Sequence, residues 1–291
     1  MVLNIGLIIS GGSSKGAYQI GFFKALKRYC DSTKVCIQSV SATSIGAINA
    51  YAFISDKLDM VENIWLNMNS YGIWKFRRKV REENFLQNRF DCLINEQDYI
   101  PCDFFITLSE MSTMTPRHFN LRGAMNTDKI ALTKATITIP MLTGQPLKYK
   151  DKFYFDGGVT NNIPFEPILN SKLDLVIVLH FTPEYRIKPT ELPSSTPIVY
   201  FDMTRIEGFI KGNFNFRQED IRQMIKDGEL YSTQILEEYF NERMSHSLSL
   251  SKDSYYYLSA GRLLNVLNRI LMIGKSKRVL FIKRATKILF K

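Results

Sequence analysis

Val35-Cys36-Ile37-Gln38-Ser39-Val40-Ser41-Ala42-Thr43-Ser44-Ile45-Gly46-Ala47-Ile48-Asn49-Ala50 is the stretch whose reading decides the fold. The run from Val35 to Val40 is largely apolar, Ser41 to Gly46 is small, and Ala47 to Phe53 is alanine-rich. That order reads as strand, sharp elbow, helix. At the tip of such an elbow Ser44 is held in a strained conformation, with its hydroxyl exposed above the sheet edge. Ala42 and Gly46, two residues to either side, let the helix start crowd the strand. The helix N-terminus adds partial positive charge and free N–H groups beside the hydroxyl, a setting that suits a nucleophile. A capping serine on an ordinary buried helix fits this stretch alone equally well.

Upstream, Leu3 to Ile9 forms a mostly apolar run that ends at Ser10-Gly11-Gly12-Ser13-Ser14-Lys15-Gly16. Ala17 to Tyr29 has helical periodicity, with Ile20, Phe23 and Leu26 toward the core. Strand, glycine loop, helix, strand, elbow, helix is an α/β pattern with parallel neighbours. Downstream, Asp56 to Asn95 reads as mostly helical, an aromatic and basic block (Trp65, Ile73, Trp74, Phe76) that is a candidate cap over the site, with core packing the favoured role for most of its side chains. Phe104 to Leu108 and Arg117 to Leu121 read as paired strands, Met125 to Lys134 as a helix, and Thr136 to Pro140 as a loop closing on the sheet. Phe153-Tyr154-Phe155 then delivers Asp156-Gly157-Gly158 at a strand end. Leu173 to Phe181 and Pro197 to Phe201 are further strands, and Glu219 to Arg243 is a long amphipathic helix. The expected organisation is one domain over residues 1–250 and a basic helical tail over 251–291.

The net charge of +10 is uneven. Ser254 to Lys291 holds nine basic residues and no acid, leaving 29 basic against 28 acidic residues elsewhere. A nucleic-acid groove would be spread over the fold, so no nucleic-acid partner is expected. Met1 to Ile9 lacks a basic leader and reads as a strand, not a signal peptide. No apolar run approaches the ~20 residues that span a bilayer. Cys30, Cys36, Cys92 and Cys102 include no C-x-x-C pair, so free thiols are expected and no metal is.

Small residues in Gly11-Gly12-Ser13-Ser14-Lys15-Gly16 can aim successive N–H groups at one point. A phosphate-binding P-loop would need Lys then Ser or Thr after the last glycine, but Ala17 and Tyr18 follow Gly16. A dinucleotide fingerprint would need Gly at position 13 and an acid ending the second strand, and neither is present. No nucleotide cofactor is expected. An oxyanion hole needs only N–H donors near a nucleophile. With both loops following adjacent strands, Ser44 would be that nucleophile.

Together these segments closely resemble the patatin-like phospholipase family. Its three signatures are a G-G-x-x-R/K-G loop, a G-x-S-x-G elbow followed by A-I-N-A-like residues, and a D-G-G or D-G-A turn. They stand here, in order, as Gly11-Gly12-Ser13-Ser14-Lys15-Gly16, Ala42-Thr43-Ser44-Ile45-Gly46-Ala47-Ile48-Asn49-Ala50 and Asp156-Gly157-Gly158. The resemblance covers roughly residues 4 to 180 and implies a three-layer α/β/α fold with a mainly parallel sheet. Two positions depart from it. Ala42 replaces the elbow's first glycine, and Ser13 stands where many members have a third. Ser13 still offers its N–H unless that position needs positive φ.

The resemblance implies a Ser–Asp dyad without a required cofactor or metal, acting on phospholipid or lysophospholipid esters. Ser44 would attack the ester carbonyl, and Asp156 would take the proton and then activate water. Gly11, Gly12 and Ser13 would supply the oxyanion donors, with Lys15, Gly16, Ala42, Gly46, Gly157 and Gly158 supporting the motifs. Lys15 would pair with a lipid phosphate or stay solvated. A carboxylate at its ordinary pKa of ~3.9 is a weak base near neutrality, so the site needs a dry Asp156. The rival arrangements are a triad of Ser44, Asp156 and His180 or His246, an acyltransferase on the same machinery, and a lipid-binding protein with a degenerate site.

On a helix at ~100° per residue, Lys277, Lys283, Arg284, Lys287 and Lys291 share one face of the tail, opposite Phe281, Ile282, Ala285, Ile288 and Leu289. That is the pattern of a helix lying on an anionic membrane surface, and equally of a docked C-terminal helix with a solvated charged face. The expected location is the cytoplasm or the periphery of the inner membrane surface.

Overall fold

The computed structural model describes residues 2–68, 85–95, 98–138, 145–187, 196–212 and 215–245. Ile73, Trp74 and Phe76, His246, and the five basic tail residues from Lys277 to Lys291 lie outside them. Two compact units divide between Glu242 and Arg243, and the second falls outside the described residues except for its first three.

Eight strands form one sheet: β1 (Leu3–Ile9), β2 (Val35–Thr43), β3 (Asp103–Glu110), β4 (Thr115–Asn120), β5 (Leu147–Tyr149), β6 (Lys152–Asp156), β7 (Leu175–His180) and β8 (Ile198–Asp202). Their order is β5-β6-β3-β2-β1-β7-β8, with β4 also paired to β3. Neighbours from β3 through β8 are parallel, whereas β4, β5 and β6 run antiparallel to their partners. The fold is thus mixed α/β with a central, mostly parallel sheet flanked by helices, as the sequence predicts. β5 is the strand the sequence reading lacked; three residues are too few to show a period.

The helices are α1 (Gly16–Ser32), α2 (Ile45–Ile54), α3 (Leu58–Leu66), α4 (Phe85–Phe90), α5 (Asn126–Ala135) and α6 (Gln218–Ser245). β7 is buried at every residue, the pattern of a parallel strand covered on both faces. Ile5, Leu7 and Ile9 contribute to the main core with Phe22, Ala47 and Ile48. Gly6 on the opposite face meets Ile168 and Leu173, next to a short 3-10 helix, Glu166–Ile168. α1 and α6 cross closely, because a Cβ on Gly21 or Gly228 would run into the backbone of the other helix. Trp65 is fully buried in this core, the role favoured for it from sequence over a place in a cap. All four cysteines are unpaired.

Candidate active site

β1 and β2 are parallel neighbours, so the glycine loop and the elbow leave the sheet side by side. Ser44 adopts φ 55° and ψ −138°, a region costly for a residue with a Cβ. The fold holds it there from both sides. Its N–H donates to Thr136 Oγ1 at 2.9 Å, and its carbonyl accepts from Ala47 N at 2.9 Å in the first turn of α2. Gly46 is pressed against the carbonyl of Ser10, where a side chain would collide. Ala42, the departure at the elbow, is fully buried between Ile9 and Ile106 of the flanking strands, so the core absorbs its methyl.

Asp156 ends β6 and is 3% exposed. Ser44 Oγ donates to Asp156 Oδ2 at 2.6 Å, and Gly158 N–H donates to Asp156 Oδ1 at 2.8 Å. Burial drives the Asp156 pKa up to about 7, opposed by those two hydrogen bonds. The dryness that the sequence argument required is therefore present, supplied by the sheet interior. Gly157 lies flat on the Thr107 carbonyl, leaving no room for a Cβ as the chain turns away.

Gly11 packs directly against Ser44: a Cβ built on it would lie 2.8 Å from Ser44 Cβ and 3.5 Å from Oγ. Gly12 abuts the Phe181 ring, and Gly16 fits between Ile45 and Trp65. No described residue accepts from the backbone N–H of Gly11, Gly12 or Ser13. Ser13 has φ 53°, so the position does use the left-handed region, and the serine occupies it at about 1–2 kcal/mol. The exception stated from sequence, a positive φ at Ser13, therefore applies, and the chain accepts it as strain. Lys15 is half-buried with Nζ 5.5 Å from the Phe181 ring centroid, and desolvation lowers its pKa.

Residues not singled out from the sequence brace this arrangement. Gln19 Nε2 donates to Ser10 O at 2.7 Å, and Asn49 Nδ2 donates to Gly16 O at 3.0 Å and Gln19 Oε1 at 2.9 Å. Trp65 Nε1 in turn donates to Asn49 Oδ1 at 3.0 Å. This buried chain ties down both ends of the glycine loop. Asn162 Nδ2 donates to Gly11 O at 3.4 Å, linking the loop to the turn after Asp156. An asparagine inside the apolar run Ile45 to Phe53 is a legible signal, since a buried amide demands partners. Thr136 carries no local signal of its role.

His246 lies outside the described residues, and neither His118 nor His180 bonds to Ser44 or Asp156. His118 Nδ1 is 2.9 Å from Thr107 Oγ1. His180 is fully buried beside Tyr185 and Tyr200, with Nδ1 4.0 Å from Asp202 Oδ1. Burial holds its pKa down at about 4, with Asp202 acting against that shift. A cavity of about 540 Å³ is walled by residues including Ile130, Lys134, Thr138, Leu147 and Lys148; neither Ser44 nor Asp156 lines it, and Thr138, whose carbonyl accepts from Asp156 N–H at 2.8 Å, links it to the pair.

A chain of VipD from Legionella pneumophila matches at 10% identity and TM-score 0.46, over 81% of this chain and 67% of that one. A chain of the heterodimeric ExoU–SpcU complex from the type III secretion system of Pseudomonas aeruginosa matches at 14% identity and TM-score 0.41, over 81% of this chain. This chain spans about half (51%) of the length of that one. No curated protein matches. The sequence profile described as Patatin, patatin-like phospholipase, matches residues 7–169, more than half of the 291 residues. The chain belongs to the patatin-like phospholipase family.

Proposed function

We propose that this protein is a serine acyl hydrolase that cleaves fatty-acyl esters of phospholipids or lysophospholipids. Family membership supports lipid acyl hydrolysis, and one observation carries the finer reading. The Ser44 hydroxyl donates to a buried carboxylate whose pKa sits at about 7, where a base is useful near neutral pH.

In this reading Ser44 Oγ attacks the ester carbonyl while its proton passes to Asp156 Oδ2. The N–H groups of Gly11, Gly12 and Ser13 receive the oxyanion, and the N-terminus of α2 adds favourable charge. Collapse of the tetrahedral adduct expels the alcohol, which takes the proton from Asp156. Water then attacks the acyl-serine, gives its proton to Asp156, and releases the fatty acid as Ser44 recovers its hydrogen. No histidine is needed at any step.

The test combines labelling and turnover. A fluorophosphonate probe should modify Ser44, located by peptide mass spectrometry. The full chain should release fatty acid from phosphatidylcholine or lysophosphatidylcholine, and Ser44→Ala should not. An unlabelled Ser44 with no fatty acid released would leave a lipid-binding protein as the better reading.

A further inference from the structure

Exposed apolar side chains gather at one edge of the sheet. Met111 and Met114 in the β3–β4 turn, Phe153 on β6, and Val159 just after Asp156 are each 48–56% exposed. Strand register explains why they meet. Tyr154 pairs with Glu110 on one side and Leu147 on the other, and the next row joins Met111, Phe153 and Lys148. Residues directly opposite across strands share a face, so this row presents two large apolar groups and a lysine together. The other face of the hairpin holds Tyr149, Tyr154 and Phe119 in mutual ring contact, and there Lys152 and Arg117 neutralise the buried Glu110. On the Phe153 side, Ser109 Oγ lies 2.9 Å from Thr160 Oγ1, which seats the turn bearing Val159 beside the same row.

The charge of this edge is one-sided. Residues 145–155 contain Lys148, Lys150 and Lys152 against the single acid Asp151, and residues 111–118 contain Arg117 and no acid. Neither Lys148 nor Lys150 has a carboxylate partner among the described residues. Large apolar side chains beside lysines that make no salt bridge among the described residues, Lys150 resting its Nζ 5.1 Å from the Tyr149 ring centroid, match the headgroup boundary of an anionic bilayer, which takes up both. Phe153 is three residues from Asp156, or about 10 Å of strand.

We infer that the β3–β4 turn and the β5–β6 hairpin form a docking surface for anionic phospholipid membranes, inserting Met111, Met114 and Phe153 between headgroups. As a statement about substrate delivery it rests on the function proposed above. As a statement about binding it stands without turnover, and the experiment separates the two.

Binding of the full chain carrying Ser44→Ala is measured by co-sedimentation with vesicles of phosphatidylglycerol and phosphatidylcholine (1:1) and of phosphatidylcholine alone. Adding Met111→Ser with Phe153→Ser should weaken binding to the mixed vesicles at least tenfold. Lys148→Glu with Lys150→Glu, both on exposed side chains, should do the same and abolish the preference for phosphatidylglycerol. In the Ser44-containing protein the same changes should leave hydrolysis of 4-nitrophenyl butyrate within twofold. Vesicle binding through this surface by a protein that hydrolyses no ester would uphold the surface and reject the proposed chemistry. Undiminished vesicle binding in both variants, or equal losses with the soluble ester, would overturn the inference.

Discussion

Ser44 and Asp156, 112 residues apart in sequence, meet because β2 and β6 run head-on along the same edge of β3. β2 pairs with Asp103 to Thr107 and β6 with Leu108 to Glu110, while β4 holds the opposite edge. Thr43 therefore ends opposite Thr107, and Asp156 ends opposite Leu108. Two chains arriving from opposite directions at successive residues of a third must both turn away there. The elbow and the Asp-Gly-Gly turn are those two exits, and the 2.6 Å hydrogen bond joins them.

Removing either end of that bond should stop turnover. Ser44→Ala and Asp156→Asn are expected to lower kcat/KM for a soluble ester by on the order of 10⁴-fold or more. His180→Ala should retain most activity once folding is verified by circular dichroism. Loss of activity in a folded His180 variant would restore the triad.

The pH profile should follow Asp156. Only its ionised form accepts the Ser44 proton, and its pKa lies at about 7. Log kcat/KM should rise with unit slope below that value and level off above it. A plateau already reached at pH 5 would mean an ordinary carboxylate and a different base.

Stability should respond with the opposite trend. A carboxyl group whose pKa is raised by folding stabilises the native state below about pH 4, and loses that contribution as pH rises through about 7. Asp156→Asn carries no such ionisation. Its stability relative to wild type should therefore grow between pH 4 and 8, by up to about 4 kcal/mol. His180 is common to both proteins and cancels in the difference. Chemical denaturation at a series of pH values reads this directly, and a flat difference would contradict the burial of Asp156.

Backbone strain gives a paired test. Ser13→Gly relieves the positive φ and should stabilise the chain by about 1 kcal/mol while keeping activity. Gly46→Ala forces a methyl into the Ser10 carbonyl and should cost about 1–3 kcal/mol, with hydrolysis reduced because both loops of the site shift. Thermal melts and ester kinetics on the two variants check both directions.

The buried amide chain behind the loop is testable through Trp65. Trp65→Phe keeps an aromatic ring but removes the indole N–H and orphans Asn49 Oδ1, which should cost about 1–3 kcal/mol. A neutral effect in thermal melts would show that the chain does not brace the glycine loop.

Much of this was readable in residue order. The runs Leu3 to Ile9 and Val35 to Val40, each closed by small residues and followed by a helical period, announce parallel strands with loops at their ends. Such signals are local: side-chain period and steric bulk act within a few residues. They located the glycine loop, the elbow and the acid turn, and the family resemblance marked Ser13 and Ala42 as the two places where a Cβ replaces a hydrogen. What took the tertiary structure was the meeting of β2 and β6 on β3, the burial that raises Asp156, and the support from Thr136, Asn162 and Gln19. These depend on register and desolvation between segments as far as 151 residues apart, and neither quantity is written in the neighbours of any one residue.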